Sequence, residues 1–543
     1  MADIIFLFFC YFLIVFSIIG YGKLFRFFSL KKNNSDIEGL FGLLLLIIIS
    51  YLTNLYFKHG YTHNIIVISF GLIIFIKYLK ESLKDLKIII SIFSILFIGL
   101  LMYKNHDDFY YYHFQYTLTL INFNKIFGLG LLNHGFRTPS SIFYLNSLFY
   151  FPFIKYFLLN AGAIYLLGFS NFILFKKIVN YLKLKKTNFI FFLIIFTFIY
   201  VNTAFYRIAE HGTDKSALIL IFLLAIYYLE SINLKTNSSP NNIIYSFEKL
   251  IILLILIISL KSFYLIYIIF LFLWIFELRK NIFSKKIILK FLTNRVLYLF
   301  IAGLILIIFT VFSNTGCLVY PASFTCNENL QWSIPLEEVQ NMKLWYEQWS
   351  KSGASPNFRV DNPEIYVSNF NWVSRWFQNY FFTKVSDSFL IIITISFILF
   401  LFYLDKENKK NKVYSKYKIF YFFLILLIIE WFVNHPALRY GGYTLFALCF
   451  FIPISLYLEK LDFKKVNIKK RTLMLILITL IIFLIKNIDR INTEYKKYEY
   501  NILSNPYFYL NENRFVYDKK LKKIDKKNNK HFLILNYKTV EEN

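Results

Sequence analysis

The chain has 543 residues, 57% hydrophobic and 21% aromatic, with 60 basic against 32 acidic side chains, a formal net charge of +28 and a mean hydropathy of +0.53. Apolar runs of about 17 to 20 residues recur along its whole length, each long enough to cross a hydrocarbon core of roughly 30 Å. A transmembrane β-barrel is excluded, because barrel strands alternate polar and apolar residues while stretches such as Leu250–Leu260 are apolar on every face. Only helices then satisfy the backbone in lipid, so the expected fold class is an all-α polytopic membrane protein with the lipid bilayer as its first partner.

In chain order the apolar helices are predicted at 3–20, 39–57, 64–79, 87–103, 157–175, 187–203, 216–230, 248–260, 263–276, 296–313, 387–403, 419–434, 441–457 and 472–487, about fourteen in all. They make residues 1–487 one multi-pass domain and leave 488–543 as a small polar tail with a short apolar strand expected near its end. No Lys or Arg precedes the first run, so it lacks the basic region of a signal peptide and is expected to be retained as a helix.

The basic residues cluster between the runs, which points to membrane topology and not to a nucleic-acid partner. "GKLFRFFSLKKNN", "KYLKESLKDLK", "KKIVNYLKLKK", "RKNIFSKKIILK", "DKENKKNKVYSKYK" and "EKLDFKKVNIKKR" all fall on one side when every span is counted once. Cytoplasmic loops are lysine-rich, so both termini and the loops 104–156, 204–215, 314–386 and 434–441 are expected outside the cytoplasm. The basic tail on that outer side is the weakest fit to the rule.

Every unusual polar motif lies in those outer loops. "NHDDFYYYHFQYT" (105–117) ends the fourth run with two adjacent carboxylates, Asp107 and Asp108, flanked by His106, Tyr112 and His113. An ionised Asp at the bilayer centre costs on the order of 3 kcal/mol, so the pair belongs at the interface or in a wet cavity. A solvated helix end, or the start of an interfacial helix over 109–123, is the plainer explanation. "HGFRTPSS" supplies Arg137, and "YRIAEHGTDKSA" supplies Arg207, Glu210, His211 and Asp214, the last either an N-cap or a pocket group. Lys261 stands alone in "ISLKSFYLIY", where it snorkels to a headgroup or meets an anion. "HPALRYGGY" joins Arg439 to a glycine pair that permits close backbone approach, with Arg439 suited to a two-pronged phosphate contact or to headgroup anchoring.

The loop 314–386 holds five of the seven tryptophans, Trp332, Trp345, Trp349, Trp372 and Trp376, fit for interfacial anchoring or sugar stacking. Cys317 and Cys326 flank "LVYPASFT" there and are placed to form a disulfide in an oxidising compartment, whereas Cys10 and Cys449 lie inside apolar runs. No Walker A loop, dinucleotide fingerprint or zinc-ligand spacing occurs.

A helix followed by an outer loop that opens with paired acids, and then by "TPSSIFYLNSLFYFPF", resembles the GT-C superfamily of integral-membrane glycosyltransferases. "HDDFYYYHF", "HGFRTPSS", "GCLVYPASFTC" and "LRYGGY" are similar to a family of bacterial multi-pass proteins of GT-C type. The resemblance spans roughly residues 100–450 and departs from the usual GT-C order in having three extra helices before the acidic loop. It implies a GT-C-like helical bundle in a bacterial inner membrane with its working face periplasmic, and a sugar donor linked to polyprenyl phosphate. It also implies transfer to a cell-envelope glycan or lipid. In that reading Asp107 or Asp108 is the general base, with Mg or Mn a candidate on the same pair. His106, Tyr112, His113, Arg137, Asp214, Lys261 and Arg439 bind substrate, the two cations facing the departing phosphate. Neighbouring residues on a helix point about 100° apart, so the two acids are not expected to share one task. A transporter or flippase, a polymerase of lipid-linked saccharides and a non-catalytic GT-C relative remain as alternatives.

Overall fold

The computed structural model describes residues 2–29, 36–210, 212–233, 240–279, 285–355, 357–403, 417–461 and 465–510. His211 and the tail beyond 510, with its apolar stretch 531–540, lie outside the described residues, as do parts of the lysine-rich loops. The described chain is all-helical, and its only β pairing is two isolated bridges, Phe151 with Lys155 and Cys317 with Cys326.

Helices α1 (Ala2–Lys23), α2 (Glu38–Asn54), α3 (Tyr61–Lys77) and α4 (Leu79–Phe97) form the first group. After α5 (Phe114–Asn122) and α6 (Ser141–Ser147) come α7 (Gly162–Lys183), α8 (Phe189–Ala204), α9 (Gly212–Ile232), α10 (Pro240–Leu260), α11 (Ile269–Glu277), α12 (Lys285–Leu292) and α13 (Arg295–Thr315). The long loop after α13 carries α14 (Leu336–Lys351), followed by α15 (Ser386–Tyr403), α16 (Lys418–Asn434), α17 (Gly442–Leu458) and α18 (Lys465–Tyr498). Among the described residues seven helical segments are long and apolar enough to cross a membrane: Ala2–Phe28, Gly162–Lys183, Gly212–Ile232, Pro240–Leu260, Arg295–Thr315, Val373–Tyr403 and Ile468–Tyr498. The protein is a polytopic helical membrane protein. The pair α3 and α4 turns through 106° at Tyr78 and makes an eighth if it is one broken span. Glu38–Asn54, Phe189–Ala204, Ser262–Glu277 and Gly442–Leu458 are apolar but shorter.

Burial ranks these helices. In α7, α9 and α10 more than four-fifths of the apolar window is inside the protein, whereas α13 and α18 bury only a third. The first three are therefore the centre of the bundle. The others keep an apolar outer face, with Ile66, Phe70 and Ile73 on α3 and Phe397 and Leu401 on α15 exposed, as helices bordered by lipid do.

Small residues let α1 and α3 approach closely, as in other helix pairs within membranes. A Cβ on Gly20 would sit 1.9 Å from the Gly71 carbonyl oxygen, and one on Gly71 would sit 2.1 Å from Ser17 Oγ. Ser17 Oγ donates to Ile68 O (2.9 Å) and Tyr21 Oη to Val67 O (2.8 Å) across the same seam. Deeper in, Asn171 on α7 and Asn202 on α8 exchange two hydrogen bonds of 2.8 and 2.9 Å, which satisfies both amides where water is absent.

One end of the bundle is tied by ion pairs next to the lysine-rich segments: Lys23 with Glu38 (2.7 Å), Lys176 with Asp85 (2.5 Å), Lys249 with Asp36 (2.8 Å), and Lys177 with Glu230. A cavity of about 410 Å³ opens there, but its buried charges Asp36, Lys177 and Glu230 are already paired with one another. The uncommon geometry lies at the other end.

Because the α1–α3 seam has no room for a side chain, Gly71→Leu is expected to destabilise the protein by about 1–3 kcal/mol or more. Gly60→Ala, where the nearest atom is 4.0 Å away, should be neutral. Thermal unfolding midpoints in detergent separate the two, and an unchanged midpoint for Gly71→Leu contradicts the close packing.

Candidate functional site

Three breaks in helical structure converge at the end opposite the paired lysines. The first follows α4. Residues 98–106 leave the helix, and Asp107 and Asp108 open a helical turn that becomes π-helical over Phe109–His113 and runs into α5. π-turns break the ordinary helical register and recur at functional sites. The adjacent acids part company here. Asp107 is 87% exposed and meets only Lys104, at 3.6 Å, while Asp108 turns inward with Oδ2 3.6 Å from His106 Nδ1 and 3.8 Å from Arg439 Nη1.

The second break is Asp214, in the first turn of α9, where a carboxylate is favoured by the exposed N–H groups and dipole of the helix start. It is two residues inside the helix and is not its N-cap. The third is Lys261, which ends α10 with an extended backbone before a 3₁₀ segment, Ser262–Ile268, leads into α11. Lys261 Nζ donates to Asp214 Oδ1 at 2.8 Å and lies over the Tyr440 ring at 4.6 Å.

Arg439 completes the cluster from the turn between α16 and α17. Its Nε is 3.6 Å from Asp214 Oδ2, and its guanidinium stacks 4.5 Å over the Trp349 ring. Four side chains pin this turn through its backbone. Trp376 Nε1 donates to Pro436 O (2.7 Å), Trp431 Nε1 to Ala437 O (2.9 Å) and Tyr264 Oη to Arg439 O (2.6 Å), while Tyr380 Oη accepts from Leu438 N (2.8 Å). Gly441 follows with φ +116°, a conformation open to glycine, and a Cβ there would meet Tyr267 Oη at 2.6 Å. Trp376 and Trp431 therefore act as braces for the arginine turn.

Asp108, Asp214, Lys261 and Arg439 thus form one ion-paired cluster, with Tyr112, His113 and Tyr440 around it. Both Arg439 carboxylate contacts are longer than hydrogen bonds, and its buried Nε has no hydrogen-bond partner. A guanidinium so placed can donate further to the oxygens of an anion. Burial holds the His113 imidazole down at about 3, with its Nε2 unpartnered, and likewise holds His435 beside the arginine turn at about 4. Both rings are neutral at physiological pH.

Arg137 does not join the cluster. It is buried against Gly130 O (3.0 Å), Tyr320 Oη (3.1 Å) and Glu338, which ties the segment after α5 to the long loop after α13. Cys317 and Cys326 form a disulfide at the base of that loop. The acid pair does not suit Mg or Mn, because its carboxylates diverge and Asp108 and Asp214 face two cations that repel a metal. No group of three His, Cys, Asp or Glu side chains that could hold a metal occurs among the described residues. Of the aromatic walls of the cluster, Trp349 is one of the loop tryptophans read above as suited to anchoring or sugar stacking, whereas Tyr440 carried no signal beyond following Arg439.

The sequence model of a family described as a domain of unknown function, DUF8201, matches residues 4–446. The chain belongs to that family. The matched stretch contains all four charged residues of the cluster. No curated protein and no solved structure matches the chain.

A buried imidazole whose folded value lies below that of the free side chain resists protonation, so the unfolded chain binds the proton first. The stability that His113 and His435 contribute is complete above about pH 6.5 and is lost as pH falls towards 4. The unfolding midpoint should drop between pH 7 and pH 5, and His113→Gln with His435→Gln should flatten that slope. A slope unchanged in the double variant contradicts neutral, buried rings.

Proposed function

We propose that this protein is a GT-C-like membrane glycosyltransferase that moves a sugar from a polyprenyl-phosphate-linked donor to a cell-envelope glycan or lipid. The reading includes about fourteen membrane passes and a bacterial inner membrane with the working face periplasmic. The observation that carries it is the meeting of Asp108, Asp214, Lys261 and Arg439, drawn from four separate outer segments, around a guanidinium with unused donors. The paired lysines at the other end of α9, about 24 Å away for the 16 residues from Asp214 to Glu230, agree with a cytoplasmic side there.

In this mechanism Asp108 takes the proton from the acceptor hydroxyl as its oxygen attacks the anomeric carbon. The bond from that carbon to the phosphate oxygen breaks on the opposite face, inverting the centre. Arg439 and Lys261 receive the charge that builds on the departing phosphate, where preorganised cations act most strongly. Asp214 holds both cations in place and, being engaged by them, is not the base. His106 Nδ1 accepts the Asp108 N–H (3.2 Å) and so orients it, and Trp349 and Tyr440 hold Arg439 and Lys261 by lying under their cations.

Asp108→Asn keeps size and hydrogen bonding but removes the proton acceptor, so product should fall by a factor of about 10² to 10⁴. Asp107→Asn, on a solvated carboxylate, should retain activity. Surface glycans of cells carrying each form at matched protein abundance give the readout, and equal profiles for native and Asp108→Asn rule out the catalytic role.

A further inference from the structure

Residues 98–108 carry the chain from the end of α4 to Asp108 almost without regular structure, so their backbone groups need partners from elsewhere. Some of those partners are local, and the rest come from the far end of the sequence. Arg490 on α18 donates through Nη2 to Ile98 O (3.2 Å) and Leu101 O (2.7 Å). Glu494, one turn later, accepts the Tyr103 N–H at 3.1 Å. Beyond α18 the chain folds back as a strap, residues 499–510, and the Tyr509 N–H donates to Tyr103 O at 2.8 Å. Both backbone polar groups of Tyr103 are thus satisfied by the C-terminal segment.

Rings close the same junction. Tyr103 stacks on Tyr498 at 4.9 Å and on Tyr509 at 5.5 Å, and buried Phe508 meets Phe109 at 5.6 Å and Phe157 at 5.3 Å. Tyr110 Oη, in the π-turn that Asp108 opens, donates to Tyr509 O. Tyr500 Oη closes the strap on itself at Pro506 O (2.8 Å). Arg490 reaches the second carboxylate too: its Nη1 lies 3.5 Å from Glu210, which pairs with Arg207 just ahead of Asp214. One helix end therefore touches the segments that carry both Asp108 and Asp214, and it lies beyond the stretch matched by the family.

We propose that the end of α18 and the strap 499–510 are a positioning device that fixes the loop carrying Asp108 against Arg439. The inference rests on the site reading above for its effect on turnover, and on geometry alone for its effect on the loop. Arg490, Glu494, Phe508 and Tyr110 are positioning residues, remote from the reacting atoms.

The test uses the full-length protein in lipid nanodiscs, comparing the native form with Phe508→Ala, Phe508→Leu and Tyr110→Phe. Hydrogen exchange is followed for the amides of 99–113, with 435–441 and α7 as references. Phe508→Ala and Tyr110→Phe should exchange about tenfold faster over 99–113 alone, since local opening there depends on strap contacts. Phe508→Leu should restore most of the protection. Glycan product should fall with the loss of protection, while binding of a polyprenyl monophosphate stays within twofold of native, because Lys261 and Arg439 are untouched. Unchanged exchange over 99–113, or a rise shared equally by the reference segments, overturns the positioning role. Absence of glycan product from the native protein would remove the transferase reading, and the exchange pattern would still decide this one.

Discussion

The site depends on the carboxylate of Asp214. It sits in the first turn of a helix at the centre of the bundle, takes a 2.8 Å hydrogen bond from Lys261 and lies 3.6 Å from Arg439. Two cations brought together in a partly buried place repel one another, and a carboxylate between them is what lets them coexist. Removing one partner from a buried ion pair commonly costs about 3–5 kcal/mol, since the remaining charge loses its compensation. Asp214 is thus a keystone of the cluster, and Asp108, at 3.8 Å from the same guanidinium, is the less tightly engaged of the two carboxylates.

The surroundings explain why this arrangement holds its shape. Arg439 lies on a turn whose backbone is fastened by Trp376, Trp431, Tyr264 and Tyr380, side chains that combine large buried apolar area with one polar atom. The acidic loop, by contrast, lacks regular structure and is fastened by the C-terminal helix and strap. A braced cation side and a strapped carboxylate side meet at a distance of 3.8 Å, longer than a hydrogen bond.

Much of this was legible in the sequence because the physics was local. Apolar length marks helices in lipid, and each predicted run corresponds to a helix or part of one in the structure. An isolated charge in an apolar stretch is costly, so Lys261 stood out, while Asp214 and Arg439 were marked by the polar motif and the glycine pair beside them. What was not legible depends on tertiary placement. Nothing in adjacent Asp107 and Asp108 says which faces inward; the π-turn decides it. Arg137 has the same sequence credentials as Arg439, yet Glu338 and Tyr320, some 180 to 200 residues away, engage it instead. The tryptophans of the outer loop suited anchoring or stacking, and Trp376 became a hydrogen-bonding brace through a partner 60 residues distant. Residues 488–510 read as a polar tail, since their partners lie nearly 400 positions earlier.

The central claim is that Arg439 and Lys261 form an anion site for a lipid-linked phosphate. Its most direct test is equilibrium binding of a polyprenyl monophosphate to the protein in nanodiscs, with Arg439→Gln and Lys261→Gln compared with native. Each variant is expected to bind at least about tenfold more weakly, the loss of one charge-assisted phosphate contact, with competition by inorganic pyrophosphate in the native protein. Affinity unchanged in both variants would contradict the account.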